Sequence, residues 1–192
     1  RSTAPGDENP LAELVSPDTD FVVLGSVRRE EERQVAEMLA GLLARAPRTV
    51  VGLFPRHMER VESWLRRLTR AGVPCVRRSG LSAPAAPGTV LLWDVFGELG
   101  MAYGLARAAF VGGSLAPLGG QNFLEPLGLG TPTVVGPHWE NFAWVGRALL
   151  ELGPLREARD GGAVLEALLA FLNRPLDREG VRRAVLGYAA SR

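Results

Sequence analysis

The chain has 192 residues, 46% hydrophobic and 22% charged, with 22 basic against 21 acidic side chains; one ordinary domain of that size buries a full core unaided, and a net charge of +1 gives no case for bulk nucleic-acid or polybasic membrane binding. The single Cys75 excludes an internal disulfide and a Cys-based zinc site, His57 and His138 alone argue against a His-rich metal site, and no apolar run of about 18 residues is present to span a bilayer. All 22 basic side chains are Arg, which rules out a catalytic Lys, a Schiff base and a Walker-type phosphate Lys.

Residues 1–20 carry three Pro and no hydrophobic period and read as a linker or incoming segment, with the domain proper over 21–192. They lack the basic start and apolar middle of a signal peptide. Opening on Arg1 rather than Met, the sequence is expected to begin partway through a longer protein. Phe21–Gly25 is a continuous apolar run ending in Gly, the pattern of a strand buried on both faces. Arg29–Ala46 follows as an amphipathic helix with Val35, Met38, Leu39, Leu42 and Leu43 at helical spacing. Thr49–Phe54 is a second strand closed by Pro55, and His57–Ala71 a basic helix that Gly72 terminates. Strands at Val73–Arg77 and Thr89–Trp93 flank a Pro/Ala/Ser/Gly loop. A short helix at Gly97–Ala106 precedes strand Ala109–Val111 and the pair Gly112–Gly113. A helix from about Asn122 to Leu129, strand Thr133–Val135, a helix at about Asn141–Leu152 and helices at Gly162–Leu172 and Asp177–Ala190 complete the chain.

Strand–helix alternation six times over predicts an α/β fold, a doubly wound, mostly parallel six-stranded Rossmann-like sheet. Ligands of such sheets bind outside the carboxyl ends of the strands. The turns after the strands, where Gly and polar residues concentrate, are therefore the candidate site. Gly112 and Gly113 let the backbone turn sharply and approach a ligand, and Ser114 adds a hydroxyl. Gly119–Gly120 lead into a helix whose first N–H groups favour an anion, with Gln121, Asn122 and Glu125 on its first turn. Glu125 accepts hydrogen bonds from vicinal hydroxyls such as those of ribose, or else complements the helix dipole. Arg56 stands at the carboxyl edge, where a guanidinium grips phosphate bidentately; otherwise it is solvated surface. Asp94 and Glu98 are an acid/base pair or a helix cap. His138 and Cys75 read as structural, and the four Trp as core or interface. Neither G-x-G-x-x-G after the first strand nor G-x-S-x-G is present, which argues against a dinucleotide oxidoreductase and an α/β-hydrolase.

The run VLLWDVFGELGMAYGLARAAFVGGSLAPLGGQNFLEPLGLGTPTVVGPHWENF, with GS at Gly25–Ser26, the acidic helix start Glu30–Glu32, PRH at Pro55–His57 and VRRS at Val76–Ser79, resembles the donor domain of bacterial Kdo (3-deoxy-D-manno-octulosonic acid) transferases. The resemblance is dense over residues 21–150. It implies the C-terminal half of a GT-B fold, and inverting, metal-independent transfer of Kdo from CMP-Kdo to a lipid A precursor in lipopolysaccharide biosynthesis. It places Arg56 at the donor phosphate and Glu125 at the cytidine ribose. Ser26, Gly112, Gly113, Ser114, Gln121 and Asn122 would line the phosphate and sugar region, and Glu98 would border the same cleft. The family carries His where this chain has Gln121, which donates a hydrogen bond but holds no charge. No cofactor, metal or nucleic-acid partner is implied. The catalytic base and the acceptor and membrane contacts belong to the family's N-terminal domain, so the chain is expected to contain no catalytic residue and to be inactive by itself. The implied location is cytoplasmic, with the full-length protein at the cytoplasmic face of the inner membrane. Another GT-B nucleotide-sugar transferase, an epimerase of that architecture and a non-catalytic nucleotide-binding module are the alternatives.

Overall fold

Seven short runs form one fully parallel sheet in the computed structural model, which describes residues 9–191. The strands are β1 (Asp20–Val27), β2 (Thr49–Pro55), β3 (Cys75–Arg77), β4 (Val90–Leu92), β5 (Ala108–Val111), β6 (Thr133–Val135) and β7 (Leu155–Glu157). They lie in the order β3-β4-β2-β1-β5-β6-β7, every neighbouring pair parallel. Helices α1 (Glu32–Arg45), α2 (Val61–Arg70), α3 (Leu99–Leu105), α4 (Leu124–Gly128), α5 (Gly161–Leu172) and α6 (Arg178–Ala190) cover both faces. None is long and apolar enough to cross a membrane.

Because successive strand residues point to opposite faces, one apolar run supplies two cores. Val22, Leu24, Val51, Leu53 and Phe110 meet Leu39, Trp64 and Leu168 of α1, α2 and α5. Phe21, Val23, Val50, Ala109 and Val111 meet Tyr103, Leu127 and Val181 of α3, α4 and α6. Burying each large apolar side chain contributes roughly 1.5–3 kcal/mol, so both layers hold the sheet in place. Burial on both faces is also why these strands read as unbroken apolar runs instead of alternating ones.

The sheet has one strand more than the six expected. Leu155–Glu157 was not legible as β7, since it is three residues long, carries Arg156 and Glu157, and only Leu155 of the three is buried. The single helix expected over Asn141–Leu152 is two 3-10 turns, Glu140–Val145 and Arg147–Leu152. Gly146, at φ +86°, separates them by a backbone conformation that ends helical hydrogen bonding. The helix expected from Asn122 begins at Leu124 and has five residues. Of the segment expected as a linker, residues 1–8 lie outside the described residues. Leu11 and Val15 are buried in the second core, Val15 bridges Ala85, and the Asn9 amide donates to Met101 O at 2.7 Å.

Candidate functional site

The chain leaves β1 toward β2 and later returns to β1's other side as β5, so the carboxyl ends of β1 and β5 flank a topological switch point, where such sheets open a crevice. Two loops meet there. After β1 the chain bulges at Ser26, which has φ +55° and is the one non-glycine residue of positive φ among the described residues. A 3-10 turn over Arg29–Glu31 then folds Glu31 back over the loop after β5. Gly112 makes that approach possible, because a Cβ there would lie 2.7 Å from Ser26 O and 3.0 Å from Glu31 Oε2.

Glu31 is 0% exposed. Its carboxylate accepts from the backbone N–H groups of Gly113 (2.7 Å), Ser114 (2.9 Å), Leu115 (2.8 Å) and Arg28 (3.0 Å). Successive N–H groups turned inward form a nest for an anion, and here the chain's own carboxylate fills it. Ser114 is 1% exposed, and its Oγ donates to Val111 O at 2.6 Å and accepts from Gly136 N at 2.8 Å. Ser114 is thus an internal brace of the loop and not the ligand-facing hydroxyl expected. Gly112 and the N–H of Gly113 likewise serve the packing of the two loops.

Cationic side chains rim the crevice. Arg56 is exposed, its backbone N–H donates to Val27 O at 2.8 Å, and its guanidinium has no partner among the described residues. The turn that carries it is anchored by the bidentate pair of Arg60 with the buried Glu32, both bonds 2.8 Å. Arg28 is half-buried and also unpaired; its stem crosses Gly113, a Cβ on which would lie 3.7 Å from Arg28 Cγ and 3.0 Å from Gln121 Cγ. Ser26, Arg28, Arg56, Gly113 and Gln121 therefore share one rim.

Glu125 is exposed on α4 and lies against Gly100 of α3, where a Cβ would be 2.8 Å from its Oε1. Tyr103, one turn along α3, packs its hydroxyl against Gly25 at the end of β1. Burial, and secondarily the charge of Glu125, push its phenol well above the ordinary range. That corner puts a free carboxylate beside the crevice. Asn122 is exposed just before α4, and its Oδ1 accepts from Leu124 N at 3.2 Å, so it and Glu125 do not share a helical turn as expected.

Glu98 is already paired. It accepts from Arg78 Nε (3.0 Å), Arg78 Nη2 (3.1 Å) and Trp93 Nε1 (2.8 Å) at the end of β4. Asp94 accepts from Ser79 N at 2.8 Å and Ser79 Oγ at 2.5 Å. Both carboxylates bind the β3–β4 connections together; they neither pair with each other nor cap α3 by a side-chain bond. His57 is exposed before the 3-10 turn Met58–Arg60, and His138 Nδ1 lies 3.5 Å from Glu140 Oε1. A groove of about 750 Å³ beside Asp18, Arg48 and Arg107 lies at the opposite, amino edge of the sheet. Sequence reasoning missed Arg28, hidden in a run of charges, and saw Glu31 only as part of an acidic helix start.

No family model matches the chain. It is 36% identical over 174 residues to a 3-deoxy-D-manno-octulosonic acid transferase of Bordetella pertussis, an alignment covering 88% of this chain and 41% of that protein. The crystal structure of the C-terminal CMP-Kdo binding domain of WaaA from Acinetobacter baumannii matches it with a TM-score of 0.80 and 33% identity, over 90% of each chain. The C-terminal domain of a group 1 glycosyl transferase (LpcC) from Francisella tularensis shares the fold at a TM-score of 0.57 and 11% identity, over 93% of this chain and 87% of that one. Sheet order, switch-point crevice and these neighbours define the class, the Rossmann-like domain of a GT-B glycosyltransferase. Within that class, the chain belongs to the 3-deoxy-D-manno-octulosonic acid transferase family. It spans about two fifths of the length of two of these relatives, 41% of the Bordetella pertussis protein and 41% of one from Haemophilus influenzae.

Proposed function

We propose that the chain is the donor-binding domain of a Kdo transferase and holds CMP-Kdo at the carboxyl edge of its sheet. The observation that carries this is the match, at 33% identity over 90% of both chains, to a domain described as binding CMP-Kdo. The rim supports it, since the unpaired Arg56 and the free Glu125 offer a phosphate grip and a ribose acceptor beside one crevice. In this reading Arg56 meets the CMP phosphate and stabilises the charge that develops on departing CMP, which is electrostatic help aimed at the leaving group. Glu125 accepts from the ribose hydroxyls. Ser26, Gln121 and Asn122 supply polar contacts around the sugar. Transfer to a hydroxyl of a lipid A precursor needs a base that removes the acceptor's proton, and that base comes from across the interdomain cleft of the complete enzyme.

Calorimetric titration of CMP, UDP, cytidine and phosphate tests the reading. CMP is expected to bind in preference to UDP. Arg56→Ala weakens CMP and phosphate about ten- to a hundredfold by removing a charge-assisted bond, and Arg56→Lys restores part of it because Lys lacks the planar fork. Glu125→Gln weakens CMP and cytidine and leaves phosphate nearly unchanged. Cytidine binding indifferent to Glu125→Gln removes the ribose role, and equal affinity for UDP removes the assignment of CMP.

A further inference from the structure

The N–H nest at the switch point is filled by Glu31, so its backbone donors do not serve a bound anion. An anion beside this nest has to be met by other donors, and charged side chains stand next to it. Two guanidiniums there have no partner among the described residues, and they are rooted side by side. The backbone N–H of Arg56 donates to the carbonyl of Val27, the residue immediately before Arg28. Arg28 is half-buried, so its stem is held across Gly113 beside Gln121, toward β5, while Arg56 projects from β2 on the other side of β1.

A CMP-linked ulosonic acid presents two anions close together. Its carboxylate and its phosphate ester are both attached to the anomeric carbon. A single arginine cannot clamp both bidentately. We propose that Arg28 is a specificity-determining residue that binds the carboxylate of the donor sugar while Arg56 binds the phosphate; this rests on the donor-binding reading above. Gln121, beside the Arg28 stem, then contributes a neutral donor to the same subsite without adding charge. The pair separates ulosonic acid donors from nucleotide sugars that carry no carboxylate.

The test is titration of CMP and of freshly prepared CMP-Kdo into the wild-type chain and its Arg28→Ala, Arg28→Gln, Arg28→Lys and Arg56→Ala variants, with thermal melting of each. Arg28→Ala is expected to weaken CMP-Kdo about ten- to a hundredfold and CMP by less than about twofold, with Arg28→Lys recovering part of the loss. Arg56→Ala weakens both ligands. Should Arg28→Ala melt lower because Gly113 loses its cover, Arg28→Gln, which keeps a polar stem, gives the same comparison in a folded protein. Unchanged CMP-Kdo affinity in the Arg28 variants overturns the inference. So does an equal loss for CMP, which would put Arg28 on the phosphate. In both results the Arg56 effect persists, and the donor-binding reading stands. A wild-type chain that binds neither ligand overturns both.

Discussion

Glu31 is a carboxylate without solvent exposure that satisfies four backbone N–H groups from two loops. It is an internal ligand, and its removal orphans donors that water reaches poorly. Leaving a buried donor unsatisfied costs about 1–3 kcal/mol. Glu31→Ala is therefore expected to destabilise the domain by about 3 kcal/mol or more, after some relief from entering water, measured by denaturant unfolding. The emptied nest should then accept an external anion. Phosphate or sulfate is expected to raise the melting temperature of Glu31→Ala by more than that of the wild type, and equal shifts would contradict the internal-ligand role. In the sequence Glu30, Glu31 and Glu32 are three identical letters. Only the turn at Arg28–Glu31 sends the second inward to the nest and the third to Arg60, because a one-residue step swings a side chain to a different face.

At the scale of elements, ion pairs fix how the connections after the strands sit. The Glu32 side chain is 3% exposed and is held by Arg60, with Arg67 3.8 Å away. Removing one partner leaves a buried charge uncompensated, so Arg60→Ala should cost about 3 kcal/mol, the low end for such pairs because Arg67 remains. It should also loosen CMP, since the turn bearing Arg56 loses its anchor; a variant with wild-type stability would refute the first point. Glu157 links β7 to the two 3-10 turns by accepting from Trp139 Nε1 (2.7 Å) and from Arg147 (3.0 Å twice). Burial raises its carboxyl, but the bonds from Arg147 and Trp139 outweigh that and hold it below the usual range. A depressed folded value means stability that is fully present above the unfolded value of about 4.3 and is lost as pH falls through the folded one. Glu157→Gln should accordingly melt below the wild type at pH 7, with the gap closing as pH drops below about 4. β7 itself was illegible because an edge strand of three residues needs little hydrophobic pattern. The strands β2 and β6, buried along their length, and β1, buried over Phe21–Gly25, were plain in the sequence.

For the whole molecule, one sheet shared by two cores predicts a single cooperative transition, with circular dichroism and tryptophan fluorescence giving coincident denaturant curves. Separated curves would show that the two layers unfold independently. A GT-B site is completed only when two domains face one another, so the 192-residue chain mixed with CMP-Kdo and a lipid A precursor is expected to transfer nothing. Detectable transfer would place the whole catalytic apparatus within this chain.

Strand–helix alternation, the position of polar turns at strand ends and the motifs around Gly112–Glu125 were enough to read the α/β class, the parallel sheet and the family. These are local and periodic properties, set by burial and by what a turn requires of its residues. The fate of each charged group was decided by tertiary structure alone. Glu98 and Arg56 both follow strands and both looked like site residues, yet Glu98 is spent on Arg78 and Trp93 while Arg56 is free. Arg28 had no signal in the sequence and stands on the crevice rim. A charge is available to a ligand only if no neighbour already pairs with it, and those neighbours include Arg78 from 20 residues away for Glu98 and three N–H groups from 82 to 84 away for Glu31. Composition and spacing cannot encode such long-range pairings, because they exist only once the parallel sheet has brought the ends of its strands together.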